Sequence, residues 1–146
     1  MEKIVFYLMN EKGYIVLDEF LKVFGATHIE YIVLSEDVNV QNDYYMEIKE
    51  LCSKHDVIYY DRNSSIPEFD GYKFAIGWRW LIGDAANLIV LHDSLLPKYR
   101  GFAPLVNMLI NGEKEIGVTA LYASNDYDRG DIVSQQKLAI EYPMKI

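Results

Sequence analysis

A chain of 146 residues, 51% hydrophobic and 25% charged, can bury a core as one domain spanning residues 1–146 without disulfide or metal staples. Its formal charge of −8 opposes nucleic-acid binding, which needs clustered Lys and Arg against phosphate, so an anionic partner would have to be small. The single Cys52 excludes an internal disulfide and suits a reducing, cytoplasmic setting, and no apolar run approaches the ~18 residues of a membrane span.

Residues 3–9 (KIVFYLM) read as a strand buried on both faces. Asn10, Glu11, Lys12 and Gly13 form a turn cluster, and a helical pattern follows from Tyr14 to the stop at Gly25. One glycine in that turn falls short of a dinucleotide fingerprint, which needs three. Residues 28–34 (HIEYIVL) read as a second strand, with His28 at its edge. A helix over residues 42–55 puts Ile48, Leu51 and Cys52 on one side, with Cys52 as an inert core thiol and His55 in the last turn. Residues 56–60 form a short third strand, and residues 72–76 a buried fourth one that closes at Gly77.

Trp78, Arg79, Trp80, Leu81 and Ile82 follow that glycine as a concentration of large side chains. Two readings stay open: a short helix packing its Trp residues into the core, or a loop walling an aromatic ligand at a strand's C-terminal edge. Residues 88–92 (LIVLH) form the next strand, ending on His92. A loop with Pro97, Lys98 and Arg100 leads to a helix with Pro104 at its first position and Gly112 as its stop. Residues 116–122 alternate as a strand, residues 123–130 are a turn dense in Ser, Asn and Asp, and residues 131–140 supply a last extended segment. Strands alternating with helices predict an α/β fold with a mostly parallel sheet and helices on both faces.

His92 stands at a strand's C-terminal end, where neutral imidazole can take a proton, and Asp128 or Asp131 can reach it to tune and orient it. No metal-ligand spacing and no GxSxG elbow are present. Ser94, without elbow glycines, reads as a loop hydrogen bonder, and Arg100 beside Gly101 as a loop brace or an anion binder.

The run HDSLLPKYRGFAP, followed by Gly117-Val118-Thr119 and then DYDRGDI, resembles the 10-formyltetrahydrofolate-dependent formyltransferases. That family includes methionyl-tRNA formyltransferase, glycinamide ribonucleotide formyltransferase and the amino-sugar N-formyltransferases. The ordered signature covers roughly the second half of the chain, while the first half agrees in element order only. The resemblance implies a Rossmann-like formyltransferase core with 10-formyltetrahydrofolate as co-substrate and no metal. It implies that His92 and Asp128 are catalytic. It places Trp78, Arg79, Trp80, Leu81, Ile82, Asn125, Asp126 and Tyr127 at the folate, and Ser94, Lys98, Arg100 and Gly101 toward the substrate.

The signature departs from the family at Val90, where members carry an Asn that hydrogen-bonds the developing oxyanion; Asn125 and protonated His92 are the candidates to replace it. A second departure is the end at Ile146, where family cores continue with helical structure and tRNA-specific members add a barrel. The acidic charge argues against tRNA as acceptor, and the KYRG-AP motif and compact core look most like the amino-sugar enzymes, so the resemblance implies the amine of a nucleotide-linked amino sugar as acceptor. Two alternatives stand beside this: a folate- or partner-binding module that has lost the reaction, and formyltetrahydrofolate hydrolysis. Oligomeric state is not legible.

Overall fold

The first strand passes into the first helix with no loop between them. The computed structural model describes residues 2–126 and 128–143. Its β1 (Ile4–Leu8) is separated only by Met9 from α1 (Asn10–Phe24), with Asn10 turning the chain at φ +62. The residues expected as a turn cluster are therefore the first helical turn. Gly13 makes this possible: a Cβ there would stand 3.0 Å from the Leu8 Cβ. Leu17 and Leu21 then face inward, and burial of each contributes about 1.5–3 kcal/mol.

The chain folds as two compact units, residues 1–88 and 89–146. In the first, β2 (Ile29–Leu34) and β4 (Lys73–Ile76) flank β1, and β3 (Tyr59–Asp61) lies outside β2; all three pairings are parallel. Val5, Leu8, Ile32, Val33 and Leu34 are all but fully buried, as strands covered on both faces require. The helix expected over residues 42–55 is shorter, α2 (Tyr45–Lys54). Its first three expected residues are not helical because the Asn42 and Asp43 side chains accept the backbone N–H groups two residues ahead, as turn formers do. Cys52 is buried, and that burial pushes its thiol up to about 12, which keeps it unreactive near neutral pH.

Lys73 is the surprise of this unit. It is 1% exposed, and its ammonium donates to the Phe69 carbonyl and to Asp84, each at 3.1 Å. A buried ammonium is tolerated only when paired and hydrogen-bonded, and these partners supply both.

The second unit contains β5 (Leu88–His92) from its second residue on, α3 (Pro104–Ile110), β6 (Glu115–Tyr122) and β7 (Ile132–Ala139). Here β6 pairs antiparallel with β5, His92 opposite Thr119, and antiparallel with β7 on its other side. Three of the five described pairings are parallel, so the α/β reading with a mostly parallel sheet holds, with an antiparallel end. Among the described residues no helix is long and apolar enough to cross a membrane.

Candidate active site

The site is built at the end of β5. His92 is the strand's last residue, and the loop that follows is fastened from below by side chains of β6 and β7. The Thr119 hydroxyl donates to the Ser94 carbonyl at 2.7 Å and accepts from the Leu96 N–H at 3.2 Å and from Gln135 Nε2 at 2.9 Å. A hydroxyl has one hydrogen to give and two lone pairs to fill, so Thr119 is saturated. Gln135 also donates to the Leu96 carbonyl at 2.9 Å. Ser94 is fully buried and donates from Oγ to the Lys98 carbonyl at 2.6 Å. Its hydroxyl is thus engaged inside the loop.

The turn after β6 brings the carboxylate. Asp128 Oδ1 lies 3.3 Å from His92 Nδ1, with the two side chains 14% and 10% exposed. The imidazole carries a charge only when protonated, and in that form it faces a carboxylate shielded from water. Asp128 Oδ2 accepts from the Gly101 N–H at 2.7 Å, and its carbonyl accepts from Arg100 Nε at 3.0 Å. The carboxylate therefore holds the imidazole and the Lys-Tyr-Arg-Gly loop together. Gly130 permits the tight turn: a side chain there would collide with the Tyr122 carbonyl. The other ring nitrogen, His92 Nε2, lies 2.7 Å from the Tyr99 carbonyl oxygen. Lys98, Arg100 and Gly101 are exposed.

Val90 precedes His92 by two on β5 and is paired across the ladder with Leu121. Alternation along a strand gives the two side chains the same face. Asn125 and Asp126 are exposed in the turn before Asp128, and the Ser124 hydroxyl donates to the Asp126 carbonyl at 2.5 Å. Tyr127 lies outside the described residues.

In the first unit, the segment from Trp78 to Ile82 is a loop after β4, so the short-helix alternative is set aside. Gly77 opens it at φ +68, where a Cβ would come within 2.6 Å of the Met9 carbonyl. The Trp78 ring packs edge-on against Tyr7, centroids 5.2 Å apart, and its Nε1–H is buried with no hydrogen-bond partner among the described residues. Trp80 donates from Nε1 to the Ser35 hydroxyl at 3.0 Å, and the Arg62 guanidinium lies 4.0 Å over its ring. Leu81 is 88% exposed. Arg79 pairs through Nε with buried Asp37 at 3.2 Å. Burial by itself would raise the Asp37 carboxyl; hydrogen bonds from Asn10 and Asn39 and the Arg79 charge outweigh it and hold the group below the usual carboxylate range. A cavity of about 390 Å³ opens here, lined by Asn10, Lys12, Asn42, Tyr44, Gly77 and Arg79 among others. Sequence reasoning did not find this cavity, because its lining comes from three separate stretches.

The sequence signature thus contains two kinds of residue. His92, Asp128, Arg100 and Gly101 come together in one network. The residues expected at the folate stand partly in the loop after β4 and partly in the turn before Asp128. Thr119 and Gln135 were missed as supports; the Gly117-Val118-Thr119 motif was the available signal for the first, and nothing marked the second.

A family model described as formyl transferase matches residues 69–144. The chain is 53% identical over 60 residues to methionyl-tRNA formyltransferase of Lysinibacillus sphaericus (strain C3-41), covering 40% of this chain and 19% of that protein. It is 30% identical over 154 residues to the bifunctional polymyxin resistance protein ArnA of Wigglesworthia glossinidia brevipalpis, covering 95% of this chain and 23% of that protein. The chain therefore spans about a fifth of the length of these curated relatives. Among solved structures, WlaRD, a sugar 3N-formyl transferase in the presence of dTDP and 5-N-formyl-THF, superposes with a TM-score of 0.71 at 21% identity. That superposition covers 97% of this chain and 53% of WlaRD.

Proposed function

Because the chain belongs to the formyl transferase family, we propose that it moves the formyl group of 10-formyltetrahydrofolate to the amine of a nucleotide-linked amino sugar. The observation that carries this reading is the shielded His92–Asp128 pair, 3.3 Å apart, at a strand's C-terminal end. In the reaction the amine nitrogen attacks the formyl carbon. The intermediate carries an oxyanion and an ammonium, so the site needs a hydrogen-bond donor and a proton acceptor. His92 moves the proton and Asp128 stabilises the charged ring. Collapse breaks the bond from the formyl carbon to N10 of the folate, N10 takes the proton, and the products are a formamide and tetrahydrofolate.

Trp78 to Ile82 and Asn125 to Tyr127 are assigned to the folate. Two observations support the first group: the Trp78 N–H is buried without a partner among the described residues, and Leu81 in the same loop is exposed. A polar heteroaromatic ring offers an acceptor to the one and apolar surface to the other. Arg100 braces Asp128, and exposed Lys98 is available to the diphosphate of the acceptor. The amino-sugar assignment rests on the likeness of the KYRG-AP loop to the sugar enzymes and on the fold shared with WlaRD. The chemistry needs no metal, and an unpaired Cys52 suits the cytoplasm.

A second reading is favoured by one observation, Val90 in place of the family's oxyanion donor: a folate-binding module without transfer. Incubation with 10-formyltetrahydrofolate and a panel of nucleotide-linked amino sugars separates the two. Mass spectrometry is expected to find formamide on at least one acceptor, with tetrahydrofolate released in equal amount. Bound folate with no formylated acceptor would establish the second reading instead, and formate released without any acceptor would mark a hydrolase.

A further inference from the structure

A neutral imidazole carries one ring hydrogen, and the partner of each nitrogen decides where it sits. The Tyr99 carbonyl oxygen lies 2.7 Å from His92 Nε2. A carbonyl and a carboxylate both only accept, and the shorter contact, 2.7 Å to the Tyr99 oxygen against 3.3 Å to Asp128 Oδ1, assigns the ring hydrogen to Nε2 as donor. Nδ1 is left with its lone pair, on the side where Asp128 Oδ1 stands 3.3 Å away. Two acceptors facing each other leave a place for one proton between them. The main chain at Tyr99 thus determines which edge of the ring is basic.

The position of that carbonyl is itself held. Tyr99 stands at φ +58, a left-handed conformation that non-glycine residues adopt only when their surroundings enforce it. Its hydroxyl donates to Glu113 Oε1 at 2.7 Å and accepts from Asn111 Nδ2 at 3.2 Å. Asn111 is the C-terminal cap of α3, and Glu113 lies just past Gly112. The Glu113 carbonyl accepts in turn from the Tyr142 hydroxyl at 2.6 Å. The anchor is therefore a second set of residues outside the His–Asp pair, joined to the loop through the Tyr99 hydroxyl.

We infer that Tyr99 is a positioning residue for formyl transfer: its hydroxyl, fastened to Glu113 and Asn111, holds its main-chain carbonyl on His92 Nε2 and so makes Nδ1 the nitrogen that takes the amine's proton. The step balances without a further reagent. The new carbon–nitrogen bond forms, the ammonium proton moves to Nδ1, and Asp128 faces the resulting imidazolium. When the bond to N10 breaks, that proton passes on to N10 and the ring returns to its Nε2–H form. The inference rests on the transfer reading for its kinetic consequence, whereas the tautomer it assigns is independent of that reading.

Nitrogen-15 NMR of the imidazoles in the full chain, recorded above the titration of the ring, reads the tautomer directly. The sequence holds three histidines, and loss of one set of signals in His92→Gln identifies the right one. The wild type is expected to show a protonated Nε2 and an unprotonated Nδ1. Tyr99→Phe removes one oxygen and is expected to give a mixture of tautomers, with kcat lowered about tenfold and KM for folate and acceptor unchanged, the loss appropriate to one hydrogen bond. Glu113→Gln keeps the anchor's shape with an uncharged acceptor and is expected to fall between the two. It also tests the anchor should Tyr99→Phe fold poorly. Hydrogen on Nδ1 in the wild type, or variants with the wild-type tautomer and kcat, would overturn the assignment. A wild type with the Nε2–H tautomer, lost in Tyr99→Phe, but with no transfer to any amine would leave the positioning intact and sink the transfer reading.

Discussion

His92→Ala is expected to lower formyl transfer by roughly 10²- to 10⁴-fold, the range that a positioned acid–base group contributes, with little change in folate affinity. The ring is 10% exposed at the very end of β5, with Asp128 on one nitrogen and the Tyr99 carbonyl on the other. Its removal takes away the group that moves the proton, yet leaves the strand ladder intact, because His92 pairs with Thr119 through the main chain. The fastening of the loop by Thr119, Ser94 and Gln135 does not pass through the imidazole either. Steady-state kinetics beside circular dichroism tests this. A folded variant with wild-type turnover would remove His92 from the mechanism.

Val90→Asn is expected to raise kcat by at least about tenfold, because one oxyanion donor is typically worth roughly 10²- to 10³-fold. Val90 shares a strand face with His92 and is half-buried, so an amide there enters the surroundings of the reacting group. A partly buried amide that finds no partner at rest costs on the order of 1–3 kcal/mol, so a small loss of thermal stability accompanies the gain. Val90→Ala is the control, since it alters packing without adding a donor, and no rate gain is expected from it. If Val90→Asn left kcat unchanged, a donor would already be in place, and Asn125 would become the residue to replace next.

Legibility in the sequence followed what each residue's chemistry makes local. The bounds of β5 agree with the expected segment because LIVLH is a short apolar run closed by polar residues on both sides. Gly112 and Pro104 bounded α3 for equally local reasons: one ends helices and the other starts them. The beginning of α1 was misplaced because Asn-Glu-Lys-Gly has turn composition. Its helical state depends on Gly13 lying against Leu8, a tertiary contact. The antiparallel end of the sheet was hidden too, since alternation in residues 116–122 and 131–140 carries no direction. The pattern of residues 72–76 marks a buried strand but not how it holds the Lys73 ammonium, which takes its partners from the Phe69 carbonyl and Asp84.

The site shows the same division. The ordered signature from His92 to Asp128 marked the reacting pair through resemblance, and Asp128 is the carboxylate that reaches the ring, whereas Asp131 closes the turn through its carbonyl on the Tyr122 N–H. Contacts made by main-chain atoms left no trace in residue types. The Tyr99 carbonyl on Nε2 and the Gly101 N–H on Asp128 belong to that class.

Titration calorimetry of the purified chain with 5-formyltetrahydrofolate, a stable relative of the formyl donor, tests the central claim most directly, because every step assigned to His92 and Asp128 presupposes a bound formyl-folate. The account predicts binding near micromolar, about −8 kcal/mol, weakened when Trp78 or Trp80 is replaced by Ala. No binding heat at several temperatures, from protein shown to be folded, would contradict it.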